Sequence, residues 1–160
     1  MAPQSSHYYY EVYKVKYKLA LQDPEETETR HHTVLFIATD ANGDGCIHEV
    51  VGDIVTGMAY QTRRDSQPES SPSFHDKEFL GLVAKTRYPG EVNRVCMALP
   101  PPHAQKRFNP TAARYEAFKP GYDGGVSFYA RGEGRPKYFK CTEWVENRAI
   151  PALFEAGVLE

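Results

Sequence analysis

The chain has 160 residues, with 41% hydrophobic and 25% charged side chains and a formal net charge of −2. That length suits one domain with its own core. The near-neutral charge gives no electrostatic pull toward nucleic acid or an anionic membrane. Three cysteines, Cys46, Cys96 and Cys141, are too few and too irregularly spaced for a disulfide framework. The N-terminal residues carry no apolar run that would read as a secretory signal, and no stretch approaches a spanning helix. A cytoplasmic setting with free thiols is therefore expected.

In chain order, residues 8–21 alternate Tyr13, Val15, Tyr17 and Leu19 with Lys14, Lys16 and Lys18, which predicts a half-buried strand. Residues 23–26 break it, and residues 31–38 (His-His-Thr-Val-Leu-Phe-Ile-Ala) form a second strand. The turn around Asn42, Gly43, Asp44 and Gly45 leads into a return strand over 46–51, and a fourth strand spans 54–62. Short connections between successive strands imply an antiparallel meander. The Pro- and Ser-rich stretch 63–76 reads as a mobile loop, followed by a fifth strand over 78–85. A short helix begins near Pro89 and ends at Leu99, before Pro100 to Pro102. The irregular, Gly-rich region 103–136 reads as a second mobile loop.

Trp144, Val145, Ile150, Leu153 and Phe154 recur at helical spacing, with Gly157 where a C-terminal cap belongs. Pro151 falls inside that pattern, so a kink or two consecutive helices are expected. The fold class is thus α+β, a four- to five-stranded antiparallel β-meander packed against a short helix and a C-terminal helix. It forms a single domain over 1–160.

Cys141 falls in the first turn of the terminal helix, where the dipole and free amides favour a thiolate. His31 and His32 open the second strand and His48 lies on its hairpin partner. Alternation sends His31 and His32 to opposite faces, so only one can share a site with Cys141. A thiolate nucleophile needs an imidazole to move its proton and a third polar group to orient that imidazole. A buried, inert cysteine and satisfied strand histidines are the plainer alternative. The Cys and His residues lack the short spacings of a metal site. No cofactor is implied.

The strand opening at His32, the Gly-rich turn, Cys46-Ile47-His48-Glu49-Val50 and the helix start Cys141-Thr142-Glu143-Trp144 resemble the circularly permuted papain-like superfamily, of the NlpC and lecithin:retinol acyltransferase type. The same pattern resembles small fungal proteins with a His-His strand and a terminal Cys-x-Glu-Trp helix. The first resemblance implies Cys141 as nucleophile, His32 as general base and His48 as the orienting group. It implies a cysteine-dependent amidase, peptidase or acyltransferase acting on a small molecule or peptide. In the same register, His32, Val34 and Phe36 are expected to face the helix. The alternative is a non-catalytic binding module of the same fold.

A further motif is Asp40-Ala41-Asn42-Gly43-Asp44-Gly45, which matches the opening of an EF-hand calcium loop. Position twelve of that loop is Val51 rather than a bidentate Glu, and the flanks read as strands. A hairpin turn built from Asp, Asn and Gly accounts for the same residues.

Overall fold

The computed structural model describes residues 5–121 and 125–160. After a single helical turn α1 (Ser5–Tyr8), strands β1 (Tyr9–Lys18), β2 (His31–Ala38), β3 (Gly45–Asp53) and β4 (Gly57–Asp65) follow one another as an antiparallel meander. Strand β5 (Phe74–Ala84) returns to the free edge of β1, giving the order β4-β3-β2-β1-β5. The expected α+β architecture is the one observed.

The connection expected to be a loop over 63–76 is shorter. Arg63 and Arg64 belong to β4, and Phe74 already begins β5. Between them Pro68–Ser70 form a 3₁₀ turn, and the Gln67 amide donates to Asp44 Oδ1 at 2.9 Å. Polar composition there reflects an exposed edge strand whose side chains face water on one side, not an absence of strand.

Region 103–136 also contains strands: β6 (Lys106–Asn109), β7 (Arg114–Pro120) and β8 (Val126–Phe128) form a small antiparallel sheet. Residues 122–124 of that region lie outside the described residues. The small sheet hangs on the β3–β4 turn, where the amides of Gln105 and Lys106 both donate to the Ile54 carbonyl, at 2.6 and 2.9 Å. Ile54 packs there with Ala117 and Tyr138.

Helix α2 (Gly90–Ala98) and the terminal helix cover one face of the main sheet. The terminal helix starts as α3 (Cys141–Glu143), widens into a π-helical stretch (Trp144–Ala149) and ends as α4 (Ile150–Glu155). Pro151 explains the widening. It has no amide hydrogen, and its ring would strike the Asn147 carbonyl in a regular α ladder. Bonding the Ile150 amide back to Val145 relieves that crowding without breaking the helix.

Trp144, Val145, Ala149 and Leu153 are buried against Val12, Leu35, Ile37, Val50, Val92 and Val95. Leu35 and Ile37 therefore face the helix, and Val34 and Phe36 pack with Val15, Tyr17 and Ile47 on the opposite face. This reverses the expected face assignment for the middle of β2. Both faces of β2 are buried, so hydrophobicity along it does not distinguish them.

The Asp40–Asp44 segment is the β2–β3 hairpin connection, closed by Thr39 and Asp40 amides donating to the Asp44 carbonyl at 3.1 and 3.0 Å. Its carboxylates are engaged internally. Asp40 Oδ2 accepts from Arg64 at 2.7 Å, and Asp44 accepts from Asn42 as well as from Gln67. Val51 sits within β3 opposite Ala59. Micromolar free calcium is accordingly expected to leave the melting temperature unchanged, because no ligand closes the loop at its last position. A rise of several degrees in a thermal melt would restore the EF-hand reading.

Candidate active site

The site forms where the sheet comes apart. Strand β2 pairs with β1 along its whole length, from His31↔Lys18 to Ala38↔Glu11. Strand β3 pairs only from Leu35↔His48 to Ala38↔Gly45. Beyond Leu35 the β3-facing edge of β2 has lost its ladder, and the start of the terminal helix fills the gap. The Thr33 amide donates to Cys141 Sγ at 3.5 Å, and the sulfur lies 3.6 Å from the His31 carbonyl. Thr33 and Thr142 hydroxyls meet at 2.7 Å. A buried cysteine thus occupies backbone groups that a neighbouring strand would otherwise satisfy.

His32 and Cys141 line one cleft, and ring and sulfur shift each other's titration. On the far side of the ring, His32 Nε2 lies 2.8 Å from Glu49 Oε1, which leaves Nδ1 as the nitrogen for the sulfur. Glu49 is 1% exposed, and its other oxygen accepts from Gln61 at 2.7 Å and from Arg63 Nε at 2.9 Å. A buried carboxylate is stable only when its lone pairs and charge are matched in this way. Thiol, imidazole and carboxylate stand in succession, the last two joined by a hydrogen bond.

The electrostatics follow from these contacts. His32 is pushed up to about 9 by its hydrogen bonds to Cys141 and Glu49. Burial raises the Cys141 thiol, but the His32 hydrogen bond, the Thr33 amide and the charges of His32 and Arg30 outweigh it and bring the thiol below its ordinary value. Burial likewise opposes ionisation of Glu49, yet His32, Gln61 and Arg63 hold it down to about 2. Both shifts run toward the thiolate–imidazolium form, and the two groups titrate as a pair.

Arg30 braces the assembly. Its guanidinium forks onto Glu143 at 2.7 and 2.6 Å, and its Nε lies 3.1 Å from Glu26. Glu143 in turn accepts from the Lys140 amide at 2.8 Å, which caps the helix start. One side chain thereby ties the residue two before His32 to the residue two after Cys141.

His48, expected to orient the base, does not reach it. Its Nδ1 lies 2.6 Å from Tyr60 Oη and its Nε2 lies 2.8 Å from Tyr88 Oη, on the helix-covered face. Tyr60 donates its hydroxyl hydrogen to Asn93 Oδ1 at 2.9 Å, so it must accept from His48 Nδ1, and Tyr88 donates to Nε2. Burial drives His48 down to about 4, and it stays neutral. The β3 side chain that reaches the His32 ring is its neighbour, Glu49. The hairpin register contains the reason, since Ala38↔Gly45 and Phe36↔Ile47 are paired. Even-numbered residues of β2 therefore share a face with odd-numbered residues of β3. His31 points elsewhere, its ring stacked on His75 at 4.2 Å.

A cleft of about 250 Å³ opens at Cys141 and His32, walled by Leu19, Ile54 and Met58 with Arg30 and Lys140 at its polar side. Among the described residues no cluster of His, Cys, Asp and Glu suited to a metal ion occurs, and no helix is long and apolar enough to cross a membrane.

An antiparallel α+β fold with a thiol, imidazole and carboxylate at its splayed edge is what this chain presents to comparison. It belongs to a family of unknown function, DUF6540, whose model matches residues 13–160. No curated protein and no solved structure matches it.

Proposed function

We propose that the protein is a cysteine-dependent acyl-transfer enzyme of papain-like type, with Cys141 as nucleophile, His32 as proton shuttle and Glu49 as the group that orients His32. The observation that carries this reading is that one imidazole is hydrogen-bonded to a buried carboxylate and shares a cleft with the sulfur whose titration it shifts. A structural cysteine needs neither partner, and a buried carboxylate costs stability unless something uses or neutralises it.

In the proposed cycle the Cys141 thiolate attacks a carbonyl carbon of an amide or ester. Backbone amides of the first helical turn stabilise the oxygen that gains charge. His32 Nδ1–H then protonates the leaving nitrogen or oxygen as the C–N or C–O bond breaks, leaving a thioester on the sulfur. Water or a second nucleophile, deprotonated by His32, attacks the thioester and expels the thiolate. Throughout, the Glu49 carboxylate holds Nε2–H and compensates the imidazolium charge. The small apolar cleft suits a short acyl group or a single side chain rather than a long substrate.

An activated ester, p-nitrophenyl acetate, tests the chemistry. A burst of p-nitrophenol is expected, with an acetyl adduct on Cys141 found by mass spectrometry of the quenched protein. Cys141→Ala should release p-nitrophenol no faster than buffer. Equal release by both proteins, or acetyl found only on surface lysines, would favour a non-catalytic binding module.

The thiols offer a second measurement. Iodoacetamide at pH 7 is expected to label Cys141 well before Cys96, whose thiol burial pushes up to about 12. Labelling of Cys141 no faster than Cys96 would remove the nucleophile assignment.

A further inference from the structure

A second and larger cavity lies beside the cleft without sharing any of its lining residues. It measures about 630 Å³ and sits between the small sheet and the segment that runs into the terminal helix. Phe118 and Tyr129 form one wall, and Tyr138 and Phe139 form the other. Its size is that of pockets that enclose small organic ligands. Gln105 keeps the second wall in place, because its side chain donates to the Phe139 carbonyl at 2.6 Å and accepts from the Phe139 amide at 2.7 Å.

The charged side chains in this lining are Arg135 and Lys137, both cations, and no carboxylate joins them. Lys137 is already paired with Glu28 at 3.1 Å. Arg135 differs. Its guanidinium lies 3.8 Å from the centre of the Tyr138 ring and one of its nitrogens donates to the Pro136 carbonyl. On its other side it shares a lining with Glu25, Glu26 and Glu28, and none of the ion pairs among the described residues includes it. A planar, multiply donating cation stacked in the lining of an aromatic pocket offers most of its hydrogens to an incoming anion.

We infer that this cavity binds a small amphipathic acid, with its aryl or alkyl body between the aromatic walls and its carboxylate on Arg135. The apolar body is drawn in by the area it removes from water, and the carboxylate fixes its direction. The inference is independent of the acyl-transfer reading.

Isothermal titration with decanoate, decanol and decylamine at submicellar concentration tests it. Decanoate should bind with one site per chain, and the neutral alcohol and the amine at least about tenfold more weakly, as befits a lost charge-assisted hydrogen bond. Arg135→Glu should weaken decanoate by about tenfold or more and favour the amine. Ala104→Trp, which places a large ring in the cavity, should abolish binding of all three. Unchanged melting temperatures and Cys141 alkylation rates in both variants confirm that they fold. Equal affinity for acid and alcohol, undiminished decanoate binding in either variant, or no binding at millimolar ligand would each overturn the inference.

Discussion

Glu49→Gln is expected to slow acyl transfer by about 10²-fold or more at neutral pH, in line with the loss of an orienting carboxylate behind a catalytic imidazole. The change is isosteric, so Gln61 and Arg63 retain a partner of the same shape. What is lost is the negative charge that accepts from His32 Nε2–H and sustains its protonated state. The imidazole pKa should fall toward 6.5 and the thiol should rise, narrowing the pH range over which thiolate and imidazolium coexist. The measurement is a pH profile of p-nitrophenol release and of alkylation, taken with each protein's melting curve.

Stability supplies an internal check on that experiment. The folded-state pKa of Glu49, about 2, lies below its ordinary 4.5, so its contribution is present above about 4.5 and is lost as pH falls toward 2. Glu49→Gln should flatten that part of the acid melt. A variant with full activity and an unaltered pH profile would show that Glu49 neutralises Arg63 and does nothing for His32.

The sheet, the meander of its first four strands and the terminal helix were legible in periodicity and short connections: alternation in β1 and apolar recurrence in 144–154; the return of β5 to the edge of β1 was not. Cys141 stood out by its place at a helix start, whereas the choice of His32 over His31 came from the family resemblance, because alternation alone leaves the face of each histidine open. Glu49 was hidden by the more conspicuous His48 beside it. The signal that finds it is the parity of the hairpin, fixed once the turn is closed between Thr39 and Asp44. The splaying of β2 from β3 was not legible, because it depends on the helix start competing for the edge of Thr33. Nor was the small sheet, whose strands over 106–109 and 126–128 are too short to establish a period. Arg30 was missed because its meaning comes from Glu143, 113 residues away.

The adjacent histidines give the sharpest separation between this site and its alternatives. His32→Ala removes the hydrogen bond and the positive charge that hold the Cys141 thiol below its ordinary value, while burial remains and pushes the thiol up. Alkylation and acyl transfer at pH 7 should therefore fall by about 10²-fold or more, the contribution typical of a positioned acid–base group, and should recover only in alkaline solution. His31→Ala removes a ring that stacks on His75 and leaves the His31 carbonyl beside the sulfur in place. Its effect on the thiol should be small. Thiolate absorbance near 240 nm, followed against pH in each variant with Cys141→Ser as the blank, reads the difference directly. A larger shift in His31→Ala would mean that the ring beside the sulfur belongs to the other residue and that β2 is displaced by one position. No shift in either would dissolve the thiol–imidazole pair and leave a structural cysteine set by burial, the Thr33 amide and Arg30.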